Sequence, residues 1–407
     1  MSDAAESALR PAEGDDAVDG VAAAGLIEPG TVEELSEVLA WANDGGLAIW
    51  PRGGGARMRW GCTPDRPGLV LSTGRLASIV EHAWADLTVT VEAGVSLAAL
   101  QQALGERGQQ LAIDPRWPER TTIGGLIASD DSGPLRLRYG GVRDLLLGVT
   151  VVRADGVIAR GGGKVVKNVA GYDLPKLFTG SLGTLGVVVA ATFRLHPLPE
   201  ADVTLVYEAP GPAGLLLRIV HTPVSPAALS AVARKDGRVL VRLAGDAAGV
   251  RAEIKTVTAA VGAPSARLEG ESAVAAWRET GEAPWIGDGT AAVCRLSVLP
   301  SEIPALLAAV SGCGLPSVTT IHAHGLGFLR LEGDVAALDT TIRSLRAAIG
   351  ARDGTLVVLD APPALKKRID IWGLAPGSLP LMQRVRERFD PKGILNPGRL
   401  VPLGGNA

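Results

Sequence analysis

The sequence predicts an α+β protein with two domains and a short C-terminal segment. Its 407 residues exceed the length of one ordinary domain, and 47% of them are hydrophobic, which is enough for substantial cores. Up to about residue 199, strand-like runs alternate with long glycine-rich loops. From about residue 200, strands alternate with amphipathic helices, a pattern that predicts an antiparallel α+β domain.

The expected organisation has four parts. Residues 1–25 are expected to form a disordered N-terminal tail, because the chain begins with an acidic, alanine-rich stretch. That stretch also lacks the basic start and apolar core of a signal peptide. The first domain spans 26–199, the second domain spans 200–362, and residues 363–407 return to the first domain.

Local signals place the elements of the first domain. Thr31 precedes Glu33 and Glu34, which is typical of a capping box and predicts a helix to about Ala42. Ser96 caps a second predicted helix. That helix spans 97–104, and short apolar or alternating runs predict strands at 47–50, 87–91, 145–153 and 187–195.

The second domain shows the two periodicities side by side. Alternating apolar residues predict its strands, and apolar residues spaced at three and four predict its helices. The predicted strands span 203–208, 238–243, 291–298, 319–331 and 355–359, and the predicted helices span 248–261 and 335–349. A further helix is predicted at 379–389, in the C-terminal segment.

Three glycine loops carry the functional prediction. The first spans 51–61, the second spans 114–133 and continues to 141, and the third spans 162–186. Loops longer than about a dozen residues without regular structure are usually functional or disordered, and the second loop is too apolar for disorder. We expect them to bring backbone amides against a flat, polar cofactor.

The first glycine loop contains three consecutive glycines, 53–55. Because they carry no Cβ atoms, several N–H groups can converge on one anion, and a diphosphate fits that description. Arg52, Arg57 and Arg59 add positive potential. A glycine-rich turn between two strands is the alternative interpretation.

The second loop contains prolines, a pair of glycines and several hydroxyl side chains. Its prolines restrict the entry, Gly124 and Gly125 permit close backbone approach, and its Thr and Ser hydroxyls are donors to phosphate or flavin edges. The third loop leads into the apolar run 187–191. Together the three loops predict a flavin site.

Several other functions are excluded by missing patterns. The chain has neither a Gly-x-x-x-x-Gly-Lys-Ser/Thr motif nor a Gly-x-Gly-x-x-Gly between a strand and a helix, which argues against a P-loop hydrolase and a Rossmann dinucleotide domain. A net charge of −3 without a basic stripe argues against nucleic acid binding. Three scattered cysteines exclude an in-chain iron–sulfur cluster and favour a reducing compartment, and no apolar run is long enough to span a membrane.

Five motifs resemble a known fold. They are residues 51–55, the Thr-Ile-Gly-Gly of 122–125, residues 143–156, the Gly-Thr-Leu-Gly of 183–186 and residues 389–398. In this order they are similar to the FAD-binding fold of the vanillyl-alcohol oxidase, or PCMH, type. The resemblance covers nearly the whole chain after about residue 25. It implies an FAD-binding domain of two α+β subdomains and an antiparallel α+β cap domain.

Within that superfamily, residues 167–174 are most similar to the glycolate oxidase subunits. The catalytic D subunit reads Gly-Ser-Glu-Gly-Thr-Leu-Gly in its third loop, whereas this chain has Leu182 in place of the acid, which resembles the shorter FAD-binding E subunit. The D-type metal-binding strand, Gly-His-x-Gly-Asp-Gly-Asn-Leu-His, aligns with 322–330. Ala323 and Arg330 then occupy the histidine positions, so the resemblance implies no metal site.

Two alternatives remain at this strand. His322 and His324 share one face of a strand and could form a different His-x-His metal site, although no acidic partner is near in sequence. Arg330 could clamp a substrate carboxylate and is the weak catalytic candidate. The first loop carries Ala56 and Arg57 where many relatives attach FAD to a histidine, so non-covalent FAD is predicted.

The candidate FAD-binding residues lie in the three loops and the C-terminal segment, where Asn396 is expected to lie near the flavin ring. They are Arg52, Gly53, Gly54, Gly55, Ala56, Arg57, Gly61, Pro115, Thr121, Thr122, Gly124, Gly125, Ser129, Ser132, Gly133, Tyr139, Gly140, Gly183, Thr184, Gly186, Val187 and Asn396.

Three functions remain open. The first is the FAD-binding E subunit of a glycolate oxidase-type complex, with a homologous flavoprotein D subunit and an iron–sulfur F subunit as partners. The second is a free-standing FAD-dependent 2-hydroxyacid dehydrogenase, and the third is a flavin-fold scaffold without turnover. The resemblance implies a cytoplasmic location, with peripheral membrane attachment through the partner subunits.

Overall fold

The computed structural model describes residues 9–13, 16–164, 172–234, 236–373 and 377–400. They form two compact units. Unit 1 contains 1–131, 141–198 and 374–407, and unit 2 contains 132–140 and 199–373. The predicted α+β class is confirmed. Segment 132–140, which the sequence assigns to the first domain, belongs to unit 2.

The strands of the described residues are numbered in chain order. They are β1 (Leu9–Arg10), β2 (Gly25–Ile27), β3 (Ile49–Arg52), β4 (Leu69–Ser72), β5 (Ile79–Ala83), β6 (Thr88–Glu92), β7 (Gln109–Gln110), β8 (Leu146–Val152), β9 (Ile158–Gly162), β10 (Val187–Arg194), β11 (His196–Pro197), β12 (Ala201–Glu208), β13 (Ala228–Ala233), β14 (Arg238–Gly245), β15 (Ala266–Leu268), β16 (Ala291–Ser297), β17 (Ser317–His322), β18 (Leu326–Glu332) and β19 (Thr355–Asp360).

The α-helices are numbered in the same way. They are α1 (Val32–Gly45), α2 (Leu97–Gly105), α3 (Ile123–Ser129), α4 (Arg136–Tyr139), α5 (Val142–Leu145), α6 (Leu174–Phe178), α7 (Pro212–Val220), α8 (Ala247–Val261), α9 (Gly270–Glu282), α10 (Ile303–Ser311), α11 (Val335–Gly350), α12 (Pro363–Lys366) and α13 (Leu379–Phe389).

Unit 1 is built on two main sheets. The first has the order β1-β2-β4-β3, in which β4 pairs parallel with both β2 and β3. The second has the order β5-β6-β10-β8-β9 and is antiparallel throughout. This arrangement gives the two α+β subdomains that the sequence resemblance implies.

Strand β10 links the cores of the two subdomains. Val187 and Val189 pack into the core that contains α1 and β4, whereas Val188 and Phe193 pack into the core of the antiparallel sheet. Side chains of a strand alternate between its two faces, so one strand can serve both cores. The residues at the start of β10 therefore lie where the two subdomains meet.

The predicted disorder of residues 1–25 is wrong for 9–13 and 16–25; residues 1–8 and 14–15 lie outside the described residues. Strand β1 pairs antiparallel with β2, and Val18 is buried against Trp50 and Val70. Composition indicated disorder because the segment is acidic, but two of its carboxylates pair with arginines of the first glycine loop and of the C-terminal segment.

Unit 2 is an eight-stranded sheet of order β15-β12-β14-β13-β17-β18-β16-β19. Each of its strand pairs is antiparallel, as the sequence predicts. The single strand predicted at 319–331 is wrong, because β17 and β18 form a hairpin. Gly325 turns the chain with a φ of +89°, and its N–H donates to His322 O at 2.8 Å.

Other elements have weak sequence signals. The second glycine loop contains helices α3 and α4, and the prediction of an irregular loop there is wrong. Glycine pairs lower helix propensity, yet the Thr122 hydroxyl caps α3 and the helix is buried on its apolar face. Residues 165–171 of the third loop lie outside the described residues. Among the residues that the structure describes, no helix is both long and apolar enough to cross a bilayer.

Candidate functional site

A cleft in unit 1 brings the three glycine loops together. It encloses about 810 Å³ including its open mouth, which is in the size range of cofactor sites. The lining residues come from all three loops, the position directly after β4, the start of β10 and the C-terminal segment. They are Pro51, Arg52, Gly53, Gly54, Gly55, Ala56, Arg57, Met58, Trp60, Thr73, Arg120, Thr122, Gly124, Gly125, Ala128, Ser129, Leu182, Gly183, Gly186, Val187, Val188, Asn396 and Arg399.

The first glycine loop lies directly against the second at two positions where it carries no side chain, Gly53 and Gly54. A Cβ atom on Gly53 would lie 2.0 Å from Thr122 Oγ1, and one on Gly54 would lie 2.0 Å from Arg120 O. Both distances are far below van der Waals contact. The glycines are therefore required by backbone packing, and they also leave this wall of the cleft lined by main-chain atoms.

A buried charge cluster fixes the first loop to the second. Arg57 donates from Nε to Asp131 Oδ2 at 3.0 Å and from Nη1 to Thr121 Oγ1 at 2.9 Å. Arg116 Nη2 donates to Asp131 Oδ1 at 2.6 Å. The side chains of Arg57, Arg116 and Asp131 are 7%, 5% and 1% exposed. One carboxylate thus faces two guanidinium groups.

Trp60 packs beside this cluster and lines the cleft. Its ring centroid lies 5.6 Å from the guanidinium carbon of Arg57 and 5.8 Å from that of Arg116. At these distances both cations interact favourably with the indole face. The ring is 4% exposed, so it also excludes water from the Arg57 and Arg116 side chains.

Arg52 and Arg399 are held by carboxylates near the N-terminus. Arg52 Nη1 pairs with Asp16 Oδ1, and Arg399 Nη1 lies 3.7 Å from Asp19 Oδ2. Burial by itself raises the pKa of Asp16. The hydrogen bond from the Glu13 N–H and the charge of Arg52 together lower it by more, so the pKa of Asp16 lies below its ordinary value. Arg52 and Arg399 are therefore both compensated within unit 1.

Arg399 also organises the first glycine loop. Its Nη1 donates to Cys62 O at 2.9 Å, and its Nη2 donates to the carbonyls of Met58 and Trp60. Burial is the main cause that lowers the pKa of Arg399 to about 10, so the side chain stays cationic at neutral pH. The C-terminal segment thereby fixes the backbone of 58–62.

Asn396 connects the C-terminal segment to the third glycine loop. Its Nδ2 donates to Leu182 O at 2.6 Å, and its backbone N–H donates to Ile49 O at 2.8 Å. The residue has a φ of +41°, a left-handed conformation that asparagine tolerates well. Because Asn396 and Leu182 both line the cleft, this contact sets the distance between two of its walls.

We predict that Asn396→Asp destabilises the protein by about 1–3 kcal/mol. The substitution keeps the shape and the backbone preference of residue 396, but it removes the donor and places a carboxylate beside the Leu182 carbonyl. Asn396 is only 8% exposed, so water cannot easily replace the lost contact. The measurement is urea unfolding at pH 7, and an unchanged midpoint would contradict the role given to this amide.

Fourteen of the predicted cofactor residues line the cleft, and eight do not. The eight have other surroundings: Thr184 donates to Ser181 O and is fully buried, and Thr121 joins the Arg57 cluster. Ser132, Gly133, Tyr139 and Gly140 belong to unit 2. The predicted residues outside the lining are Gly61, Pro115, Thr121, Ser132, Gly133, Tyr139, Gly140 and Thr184.

Sequence reasoning missed nine lining residues. Several of them stand directly beside quoted motifs, so a wider window around each motif would have included them. Arg399 follows the terminal Asn-Pro-Gly motif, and Trp60 lies inside the first loop. The missed residues are Pro51, Met58, Trp60, Thr73, Arg120, Ala128, Leu182, Val188 and Arg399.

Arg330, the weak catalytic candidate, lies on β18 of unit 2 and is 5% exposed. Its Nε donates to Glu332 Oε1 at 2.7 Å, and its Nη2 donates to Gly289 O at 3.4 Å. A guanidinium that already faces a carboxylate is poorly suited to clamp a second one. The carboxylate role of Arg330 stays a prediction that this ion pair does not favour.

His322 and His324 lie at the turn of the β17–β18 hairpin, with ring centroids 5.5 Å apart. His322 Nδ1 shares a hydrogen bond of 2.7 Å with Ser230 Oγ. Leu326 N–H donates to His324 Nδ1 at 3.4 Å. Within the described ranges, no group of three or more His, Cys, Asp or Glu side chains has the geometry to hold a metal ion.

The pKa of His324 is lowered to about 4, first by burial and then by the charge of Arg136. Between about pH 4 and 6.5 the unfolded chain therefore binds a proton that the folded chain does not, and stability falls as pH falls through this window. The expected loss is about 1.4 kcal/mol per pH unit. We predict that His324→Gln removes this slope in urea unfolding measured from pH 7 to 4.5; equal slopes would contradict it.

Comparison with known proteins shows that most of the segments lining the cleft belong to FAD-binding domain families. Residues 23–162 match the model of the FAD binding domain, and residues 374–400 match that of the C-terminal domain of FAD linked oxidases. The first match contains the first two glycine loops, and the second contains Asn396 and Arg399. The cofactor of this chain is therefore FAD.

Three relatives show how far the similarity extends. The chain is 30% identical to glycolate oxidase subunit GlcE of Escherichia coli over 332 residues, which is 79% of this chain and 84% of that protein. It is 30% identical to a D-2-hydroxyglutarate dehydrogenase of Xanthomonas citri over 91% of this chain and 88% of that protein. It is 40% identical to glycolate oxidase subunit GlcD of Bacillus subtilis, but over 44% of this chain and 38% of that protein.

A solved structure shares the fold. Alkyldihydroxyacetonephosphate synthase has a TM-score of 0.70 at 16% identity, covering 93% of this chain and 77% of that chain. At this identity the likeness concerns the fold alone. Taken with the relatives above, the chain belongs to the FAD-linked oxidases, the FAD-dependent oxidoreductase family that includes the glycolate oxidase subunits and the D-lactate and D-2-hydroxyglutarate dehydrogenases.

Proposed function

We propose that this chain is the FAD-binding subunit of a glycolate oxidase-type complex. The complex oxidises glycolate or a related 2-hydroxyacid to the 2-oxoacid. In this proposal, electrons pass from the chain's flavin to a homologous flavoprotein subunit and an iron–sulfur subunit. The observation that carries the proposal is the glycine-walled cleft of unit 1, which keeps all three loops in a chain similar to GlcE over most of its length.

The residues of the cleft fit FAD. Gly53 to Gly55, Gly124 and Gly125 line the cleft and carry no side chains, so their backbone N–H groups can bind a diphosphate or the edge of the flavin ring. FAD, when bound, accepts two electrons from the hydroxyacid. The side chains of Trp60 and Val187 exclude water from the cleft, and Asn396 and Arg399 hold its loops in place.

Among the residues that the structure describes, those that line the cleft include no histidine, cysteine or tyrosine. Covalent attachment of a flavin requires a nucleophilic side chain at the ring, and Ala56 and Arg57 cannot provide one. We therefore propose that FAD is bound non-covalently. Acid or heat denaturation of the purified chain would release FAD to the supernatant, whereas covalent flavin would stay with the precipitate.

Unit 2 favours a subunit over a self-sufficient enzyme. Ala323 and Arg330 stand where the catalytic relatives have metal-binding histidines, and Arg330 is paired with Glu332. A dehydrogenase needs a group that orients the hydroxyacid and one that takes up its proton. In this proposal the homologous partner supplies part of that machinery, and the subunit is cytoplasmic and meets the membrane only through its partners.

A free-standing 2-hydroxyacid dehydrogenase is the second candidate. It is favoured by the similarity to a D-2-hydroxyglutarate dehydrogenase over 91% of this chain, which is more extensive than the similarity to GlcE over 79%. The third possibility, a scaffold without flavin, is opposed by the intact glycine loops.

One experiment separates the three. The full chain is purified alone and with its genomic neighbours, its flavin is quantified after denaturation, and glycolate and D-lactate are assayed with an artificial electron acceptor. We expect a yellow protein that turns over slowly alone and at least tenfold faster with its partners. Full turnover by the isolated chain would favour the free-standing enzyme, and a colourless chain with no affinity for FAD would contradict both flavin proposals.

A further inference from the structure

Four arginines line the cleft of unit 1, and three of them already have a carboxylate partner. These pairs are Arg52 with Asp16, Arg57 with Asp131, and Arg399 with Asp19. The fourth arginine is Arg120. In the part of the chain that the structure describes, its guanidinium forms no ion pair and no hydrogen bond. Of the arginines in the described lining, Arg120 is therefore the one that a ligand can still engage.

The backbone of Arg120 is fixed, although its side chain is exposed. The Arg120 N–H donates to Trp117 O at 3.0 Å, and the N–H of Thr121 donates to the same carbonyl at 2.8 Å. Thr121 Oγ1 in turn accepts a hydrogen bond from Arg57 Nη1 at 2.9 Å. The side chain of Arg120 thus extends from an anchored backbone. Binding of a ligand has to order that side chain alone, which keeps the entropic cost of the contact small.

Arg120 also lies directly beside the three consecutive glycines of the first loop. A Cβ atom added to Gly54 would lie 2.0 Å from Arg120 O and 3.4 Å from Arg120 Cα. Gly53, Gly54 and Gly55 line the cleft together with Arg120. Backbone N–H groups of successive glycines can converge on one anion. An uncompensated cation and a backbone suited to anions therefore lie in the same part of the cleft.

The diphosphate is the part of FAD that matches this pair of features, because its phosphates carry the negative charge of the cofactor. No Asp or Glu is present among the described residues of the lining. A guanidinium binds two phosphate oxygens side by side, and hydrogen bonds between ionised groups are stronger than those between neutral ones. We propose that Arg120 pairs with the diphosphate of FAD and makes the affinity of the cleft depend on the phosphates of the cofactor. The inference deepens the proposed function, because it rests on the FAD cleft that carries that function.

The exposure of Arg120 determines how its charge acts. Because the guanidinium is in contact with water, salt screens its attraction for an anion. Loss of such a charge at the rim of a site changes the association rate and the salt dependence of binding. A residue that only supported the fold would instead affect every flavin alike, whether or not the flavin carries phosphate. The two roles therefore predict different measurements.

The test titrates the full chain, freed of bound flavin, with FAD and with riboflavin, which has no phosphate. Flavin fluorescence is followed at about 20 mM and at about 500 mM salt. We expect Arg120→Gln to weaken FAD binding about tenfold at the lower salt concentration and about threefold at the higher one, with riboflavin binding unchanged. Arg120→Lys keeps the charge but loses the paired donors, so it should weaken FAD binding by at most about threefold.

Arg194→Gln is the matched control, since it removes one exposed positive charge elsewhere in unit 1. Arg194 ends β10, at the opposite end of that strand from the cleft residue Val187. This variant should bind FAD as the wild type does at both salt concentrations. Thermal midpoints, measured on the same samples, show whether each variant is folded.

Three results would overturn the inference. They are equal FAD affinity of Arg120→Gln and Arg194→Gln, a loss of riboflavin affinity as large as the loss of FAD affinity, and an effect of Arg120→Gln that does not change with salt. Turnover with the partner proteins is read separately. A chain that binds FAD without help from Arg120 would contradict this inference alone, and a chain that binds FAD through Arg120 but gains no turnover with its partners would contradict the proposed function alone.

Discussion

Gly54→Ala is expected to reduce FAD affinity about 100-fold, or about 2.7 kcal/mol. The new Cβ would lie 2.0 Å from Arg120 O and 2.8 Å from its carbonyl carbon, so backbone rather than a flexible side chain must move. Displacing the first glycine loop from the second moves the main-chain donors that line the cleft. Overpacking of this kind also costs about 1–3 kcal/mol of stability. FAD titration by fluorescence quenching measures the first effect, and urea unfolding measures the second.

Gly105→Ala is the matched control for this substitution. Gly105 is the last residue of α2, is exposed, and has no atom within 4 Å of the position of an added Cβ. Alanine at a helix end should leave FAD affinity unchanged and stabilise by up to about 1 kcal/mol. If both variants bind FAD as the wild type does, the glycine wall of the cleft has no part in cofactor binding.

Asp131→Asn is expected to destabilise the protein by about 3–5 kcal/mol. Its carboxylate is the shared partner of Arg57 and Arg116, and all three side chains are at most 7% exposed. The amide keeps the shape but removes the carboxylate charge that both guanidinium groups face. Because both arginines lie beside the first glycine loop, FAD affinity should fall as well. Chemical unfolding and FAD titration measure the two effects.

Asp155→Asn controls for the loss of one carboxylate in an ordinary ion pair. Asp155 pairs with Arg153 at the surface, where it is 39% exposed, and such pairs contribute at most about 1 kcal/mol.

A second variant, Asp131→Asn with Arg116→Met, should be more stable than Asp131→Asn alone, since it removes one of the two buried positive charges that Asp131 faces. Equal unfolding midpoints for Asp131→Asn and Asp155→Asn would show that the cluster has no special role.

The sequence predicted the regular elements best where one pattern dominated. The helix after Thr31 and the helix after Ser96 are present, since each combines a capping side chain with apolar spacing. The β17–β18 hairpin was missed because its turn, 323–325, has only Gly325 as a turn signal. Helix α3 was missed because two glycines hid a segment that tertiary packing stabilises.

For the cofactor site, the sequence predicted the positions that depend on residue type and failed where contacts between distant residues decide. Glycine positions such as Gly53 and Gly124 were found because a missing Cβ is visible in sequence. The N-terminal segment was taken for a tail, since composition does not reveal that Asp16 pairs with Arg52, 36 residues away. Likewise, Ser132 and Tyr139 follow the second loop in sequence but belong to unit 2.

The sequence by itself determined the α+β class, the three glycine loops and the family, because these depend on residue types and their spacing. Only the tertiary structure decided which cations of the cleft are already paired, and that residues 9–13 and 16–25 pack within unit 1. The physical reason is that charge pairing and desolvation depend on distances in space, which folding sets between residues that are far apart in the chain.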